Sequence, residues 1–492
     1  MTLRVWIIGA LFGLPLLVSG ALAQTPAAAP AAAPSSAPAS PPAPIPASPP
    51  PATTSSIPAA NTPSPPAPTE GLVSPFMPMP AGPAPAAESA PSASPSAAPP
   101  PAQAAAPPKP KKIAPRAPPR ETALSEDPEP TLQPDTFFAT AKASERYSAI
   151  VDAGGWPTDI VAVAPGAKGP SVERLRKRLL IEGYLDAKEA SGLAWNKELT
   201  AAVKRFQAHM GLRQTGIVSG ATLKAINVPA KERFNELASS ADRLAGLNFS
   251  FEDRYVAVNL PSTSVEAVES GRVVHRYVAI VGDPEHPSPE ISAHIQVVNL
   301  NPTWTVPTSI IKKEIIPRMQ RDPGYLARAK IRILDGSGKE INPKSVNWST
   351  ERAANYTLRQ DSGAGNSLGS IRIGMPNKLA VYMHDTPSKG LFGADYRFLS
   401  HGCVRVQGVY DLAAWLLEGT AGPAGGWDKA ALMAKIKEGG AYDIKLVRAV
   451  PVIWVYLTGW SNGDGPANFR NDVYNVDNVG EPQVSAQAQP VR

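Results

Sequence analysis

Apolar residues recur along this chain at two regular spacings, and a third long stretch has neither. From Gly169 to Val228 the spacing is helical: Val172, Leu175, Leu179 and Leu180 share a face, with Ser171 as the N-cap and Gly183 as the stop. Leu199, Ala202, Val203 and Phe206 make a second stripe ending at Gly211, and Leu223 and Ile226 belong to a third short helix that starts near Ser219. The pattern predicts a small three-helix bundle over 169–228 with no catalytic set of side chains, which makes it a module for packing or binding. Upstream, 136–168 reads as a connecting or scaffold segment whose Gly154-Gly155-Trp156-Pro157 packs on the bundle.

From Arg254 the spacing falls to two. Residues 255–260 and 273–280 read as strands around a Ser270-Gly271 turn, followed by strands over 295–300, 371–373 and 379–384. Only 411–417 and 429–437 look helical in this region. The expectation is a mostly-β, sandwich-like domain over 254–447 with one or two helices alongside, then a C-terminal extension over 448–492.

The stretch with neither spacing lies before Thr136, and there composition decides. Of the 56 prolines in 492 residues, 35 fall between Gln24 and Asp135, among alanines and serines. Such a segment buries too little apolar surface to offset its ordering entropy, so 24–135 reads as an extended, disordered tether. Lys109, Lys111, Lys112, Arg116 and Arg120 cluster near its end and read as solubilising charge. At the start, Arg4, an apolar run over 5–18 and Ala21-Leu22-Ala23 have the form of a secretory signal peptide, 1–23. The apolar run is too short for a comfortable span, which needs about 20 residues, so the mature chain is expected in the periplasm with no transmembrane segment. The net charge of +6 brings no aromatic-basic surface with it, so nucleic acid is not an expected partner.

An exported chain with one cysteine builds no internal disulfide, and Cys403 lies in the polar run Ser400-His401-Gly402-Cys403-Val404-Arg405. A thiol near its ordinary pKa needs a base to attack a carbonyl. His384 ends a predicted strand upstream of that run, and Asp385 follows it as a candidate to orient the imidazole. Gly402 admits close backbone approach, so the amides of Gly402 and Cys403 are candidates for an oxyanion hole. In papain-like enzymes the cysteine comes first; here the histidine does. A zinc set of His384, His401, Cys403 and Asp385 has the wrong spacing, because His401 and Cys403 stand two apart on one tight loop, and no metal or other cofactor is expected. His209, His275, His286 and His294 have no partners in sequence and read as surface or packing residues.

His384 through Arg405 resembles the signature of the YkuD-type L,D-transpeptidase catalytic domain: an upstream His, a spacer, then Ser/Thr-His-Gly-Cys-x-Asn/Arg. Asn301-Pro302-x-Trp304-x-Val306-Pro307 and Tyr382-x-His384-Asp385-Thr386 extend the likeness toward the large Gram-negative branch, in which a capping segment is inserted. The candidate cap here is 316–368, and the 455–476 tail also resembles that branch. The helical stretch, with Gly183-Tyr184, Phe206-Gln207, Gly211-Leu212 and Thr215-Gly216, resembles the three-helix peptidoglycan-binding domain. Ser191-Gly192-Leu193-Ala194-Trp195 stands there in place of the usual Asp-Gly-x-Phe-Gly loop.

The resemblance implies that Cys403 attacks a tetrapeptide stem after its third residue, releases D-Ala and passes the acyl group to the amine of a second stem. His384 would be base and then acid, His401 would line the site, and Arg405 would hold the loop or a substrate carboxylate. Tyr382 and Trp304 would flank the cleft, and carbapenems would block it. Water as acceptor would make a carboxypeptidase, and a lysine of an outer-membrane protein would make an anchoring enzyme. A hydrolase of existing crosslinks shares the same thiol. A non-catalytic wall-binding protein is the alternative from another class.

Overall fold

The computed structural model describes residues 120–477. The expected signal peptide, the tether up to residue 119 and the last residues of the C-terminal extension lie outside the described residues.

Among the described residues, five α-helices precede the first strand: α1 Thr136–Asp152, α2 Pro170–Ile181, α3 Lys197–His209, α4 Gly220–Ile226 and α5 Ala230–Ala245. The three read from periodicity are α2, α3 and α4. α2 starts at Pro170, whose fixed φ and missing N–H suit a first helical position, so Ser171 lies inside the first turn and does not cap it. Asn196 does cap α3, its side chain accepting from the Leu199 N–H at 3.0 Å. Val172, Leu175, Leu199, Ala202 and Phe206 are fully buried in one core with Tyr147 of α1. Trp156 joins that core and donates from its indole to the Val228 carbonyl at 2.9 Å, so the Gly-Gly-Trp-Pro segment packs on the bundle.

The strands follow as β1 Arg254–Asn259, β2 Ser264–Glu269, β3 Arg272–Gly282 and β4 Ile291–Leu300. The cap comes next: β5 Trp304–Thr305, then α6 Thr308–Ile310, a π turn over Ile311–Ile315, α7 Ile316–Arg321, α8 Tyr325–Arg328, and β6 Ile331–Leu334, β7 Glu340–Ile341 and β8 Thr357–Gln360. The main sheet resumes with β9 Ile371–Gly374, β10 Met383–His384, β11 Phe398–Ser400, β12 Val404–Val406, helices α9 Val409–Leu416 and α10 Lys429–Glu438, and β13 Tyr442–Val455. Its order is β11-β3-β12-β10-β9-β4-β13-β1-β2, and β2 also pairs with β3, so the mostly-β domain is a sheet whose strands close into a ring. One face carries Val256, Val298, Ile373, Met383 and Val404 into a core shared with Leu412 and Trp415 of α9. β1 is buried on its other face too, where Tyr255 and Ala257 meet Leu132, Leu244 and Trp460.

Three boundaries differ from the sequence reading. The cap has its own core and four-stranded sheet, β5-β8-β6-β7, and begins at Trp304, before the expected 316. The mostly-β domain does not end at 447, because β13 runs to Val455 between β4 and β1; residues 448–455 belong to the sheet rather than to an extension. The 120–135 end of the expected tether is a packed strap. Asp395 accepts from the amides of Glu121 and Thr122 at 3.0 and 2.8 Å, and Arg276 donates to the carbonyls of Ser125, Asp127 and Glu129. Leu132 is buried, and Thr131 donates to buried Glu266. Proline content foretold the lack of periodicity here, but the strap is held by its polar backbone groups.

The C-terminal tail closes the seam between the helices and the sheet. Phe469 lies in the helical core, edge-on to Tyr147 at 5.5 Å and 4.5 Å beneath the Arg233 guanidinium. Arg470 donates to the His209 carbonyl at 2.7 Å and fills the space beside Gly211, where a Cβ would collide with it.

Candidate active site

The site is built by strand register. β10 pairs in parallel with β12, placing Met383 opposite Val404 and His384 opposite Arg405, and the Val404 N–H donates to the Tyr382 carbonyl at 3.1 Å. Met383 and Val404 point into the core, so Tyr382, His384, Cys403 and Arg405 share the opposite face, as side-chain alternation requires. Cys403 and His384 are thus diagonal neighbours on adjacent strands, within reach of an imidazole. The same face continues across β9 and β4, where Arg372 is the register partner of both His384 and Asn299, and Asn299 is that of Asp443 on β13.

His384 is buried, and burial with the nearby Arg405 charge holds its pKa down to about 3. Its Nδ1 meets the backbone carbonyl of Asp385 at 2.5 Å. The Leu368 carbonyl also accepts a hydrogen bond from the ring, and in the tautomer with its proton on Nδ1 the Nε2 lone pair is the base for a substrate or thiol proton. The Cys403 thiol is pushed up by burial, partly offset by the backbone and hydroxyl of Tyr382 and by the charges of Arg405 and Arg372. The resting pair is therefore a neutral thiol beside a neutral imidazole.

Two expected roles need correction. The Asp385 carboxylate does not orient the imidazole: it accepts from the Ser370 amide at 3.1 Å and pairs with Lys389, so the residue acts through its backbone carbonyl. It lies so close over Gly369, at φ +62°, that any Cβ there would overlap it. The Gly402 amide is not free for an oxyanion, because it donates to Ser400 Oγ at 3.2 Å. Ser400 in turn donates to the Cys403 carbonyl at 2.5 Å, and Ser288 to the Gly402 carbonyl at 2.8 Å. These bonds fix a loop in which Gly402 takes φ +101°.

His401 faces the cap. Its Nε2 lies 2.7 Å from Glu314 Oε1, and its ring lies 4.7 Å from that of His286, whose Nε2 in turn is 3.2 Å from Lys313 Nζ. Lys313 and Glu314 occupy the π turn, an irregularity that recurs at functional sites. Trp304, on β5, contacts the Tyr382 hydroxyl, whose pKa burial raises. The Arg405 Nε is buried without a hydrogen-bond partner. The sequence reading brought together Cys403, His384, His401, Arg405, Tyr382 and Trp304; it missed Arg372, Glu314 and His286. Arg372 sits between two core-facing isoleucines, Ile371 and Ile373, an alternation that already marked it as facing the opposite side. The other two carry no local signal.

Residues 253–424 match the L,D-transpeptidase catalytic domain YkuD, and residues 168–226 match a family described as "Putative peptidoglycan binding domain". A Haemophilus influenzae protein named "Putative L,D-transpeptidase" is 30% identical over 223 residues, 45% of this chain and 44% of its own length, so the chain spans less than half of that relative. Among solved structures, an L,D-transpeptidase from Xylanimonas cellulosilytica is 17% identical over 60% of this chain and 97% of that one, with a TM-score of 0.20. One from Stackebrandtia nassauensis is 14% identical over 62% and 97%, with a TM-score of 0.23.

Proposed function

We propose that this chain, which carries a YkuD-type L,D-transpeptidase catalytic domain beside a peptidoglycan-binding-type module, performs cysteine acyl transfer on peptidoglycan stem peptides. The supporting observation is the register that sets the only cysteine diagonal to a buried histidine whose Nδ1 meets the Asp385 carbonyl. Cys403 Sγ attacks the carbonyl carbon of the third stem residue while His384 Nε2 takes the thiol proton. The oxyanion develops beside the Cys403 backbone and Arg405. The C–N bond breaks, His384 returns the proton to the departing D-Ala amine, and a thioester remains. The side-chain amine of a second stem attacks it, His384 takes that proton, and Cys403 leaves, joining two third-position diaminopimelate residues. Because the pair rests neutral, His384 acts as a general base at the moment of attack.

The setting is the periplasm, reached through the signal peptide, and no cofactor enters the reaction. No described helix is long and apolar enough to cross a membrane. Water or an outer-membrane protein lysine as acceptor uses the same thioester. Mass spectrometry of the protein with a carbapenem tests the first half: one covalent adduct is expected on the wild type and none on Cys403→Ala. Incubation with tetrapeptide muropeptides tests the second, through crosslinked dimers, tripeptides or protein adducts. A wild type that neither labels nor releases D-Ala would leave only the wall-binding alternative.

A further inference from the structure

We infer that Arg372 binds a free carboxylate of the donor stem, an inference that rests on the stem-peptide reading above. Arg372 stands in a row of register partners, Asp443, Asn299, Arg372, His384 and Arg405, on the face that carries the thiol. Its guanidinium is held from behind. Nε donates to Asn299 Oδ1 at 2.8 Å, and Asn299 Nδ2 donates to Asp443 Oδ1 at 2.6 Å. The amide of Asn299 thus spaces the Asp443 carboxylate away from the arginine, so Arg372 is aimed without being neutralised. Among the described residues no carboxylate lies within ion-pair distance of it, and its two terminal nitrogens have no hydrogen-bond acceptor there.

The guanidinium carbon lies 5.4 Å over the Tyr382 ring, and its charge reaches the Cys403 thiol. The second cation beside the thiol, Arg405, has its buried Nε unpartnered and the Glu314 charge of the cap acting on it. Of these two cations Arg372 is the one whose Nε is held from behind, so that its planar pair of terminal donors is aimed outward in a form that suits a carboxylate. A tetrapeptide stem offers two such groups near its scissile bond: the C-terminal carboxylate of the leaving residue and the side-chain carboxylate of diaminopimelate.

The test measures kcat/KM for release of the terminal residue by the full chain and by Arg372→Gln and Arg372→Lys. Three donors are compared: the free acid, the stem amidated at its terminal carboxyl, and the stem amidated at diaminopimelate. One amidation should lower wild-type kcat/KM about 10- to 100-fold and identify which carboxylate is bound. Arg372→Gln should lower the free acid by a similar factor and leave that amide nearly unchanged, while Arg372→Lys keeps part of the discrimination. Equal losses by Arg372→Gln on all three donors, or none on any, would overturn the inference while leaving the stem-peptide reading intact. Failure of the folded wild type to turn over any donor would sink that reading and this inference with it.

Discussion

Two clusters of buried polar groups can be set side by side. In the helical module, Arg178 donates to Glu182 at 2.5 Å and to the Ile226 carbonyl at 3.2 Å, while Tyr147 donates to Glu182 at 2.7 Å. The Arg178 guanidinium also lies 3.6 Å over Trp156. In the cleft, the Arg405 Nε has no partner, Arg372 keeps two free nitrogens, and the thiol and imidazole both rest neutral. Both clusters are costly to bury. The first pairs its cation with an anion and a backbone carbonyl, leaving only Arg178 Nη2 without a partner, and so holds the bundle together; the second leaves Arg372 with no carboxylate partner among the described residues and so keeps capacity open for something that arrives.

The sharpest way to break that contrast is Cys403→Ala. Acylation should fall by at least about a thousandfold with the melting temperature unchanged, measured by adduct formation and calorimetry. A large loss of stability instead would make the cleft a structural cluster like the other. Glu182→Ala is the converse. It leaves Arg178 buried without its anion and should cost about 3–5 kcal/mol in denaturant unfolding, while carbapenem acylation of the molecules that remain folded stays at the wild-type rate. Phe469→Ala removes the aromatic plug shared by tail and bundle, and about 3–5 kcal/mol is expected there too.

The pH profile sharpens the contrast further. His384 is held down to about 3, so it is already an unprotonated base at any pH above that value, and the thiol titrates above its ordinary range. Acylation should therefore rise with pH across neutrality with no inflection near the ordinary histidine pKa of about 6.5. A clear midpoint there, seen in rates and absent from His384→Gln, would contradict the neutral resting pair. The smallest effect belongs to the strap. Burial works against the Asp395 carboxylate, but the Thr122 and Glu121 bonds outweigh it and hold its pKa below the usual range. That contribution is present above the unfolded value of about 3.9 and is lost as pH falls through the folded one. Since Asp395 is exposed, Asp395→Asn should cost at most about 1 kcal/mol at neutral pH, and its readout is faster proteolysis within 120–135.

Much of this was legible in the chain because it rests on local pattern. The stripes of α2, α3 and α4, the strands around the Ser270-Gly271 turn and the Ser-His-Gly-Cys run are all visible within a few residues. What was not legible depends on distant partners. β13 has no clean alternation because it is bordered by β4 and β1, with a register shift between Lys445 and Val450. The expected strand over 379–384 shrinks to two residues, since Ala380 takes φ +54° and Asn377 bonds to Met375 and Val381 around it. The role of Asp385 passed from carboxylate to carbonyl because Ser370 and Lys389, brought there by the fold, had already claimed its oxygens. α5 was missed for another reason: Arg233 and Ser240 interrupt its apolar face, and both are buried against the seam with the tail.

The place of β13 also sets an order of events. Written from the N-terminus, the chain completes β1 to β4, the cap, and β9 to β12 with Cys403 before β13 appears, yet β13 is the rung between β4 and β1. Until residues 442–455 arrive, the ring stays open and β4 and β1 each lack a neighbour. A nascent chain truncated after β12 thus holds His384, Cys403 and Arg405 and none of the closure that fixes them. The sheet face that carries Cys403 is closed late, when nearly the whole domain has been made, and the long sequence separation of that last pairing raises the loop-closure entropy its formation must overcome.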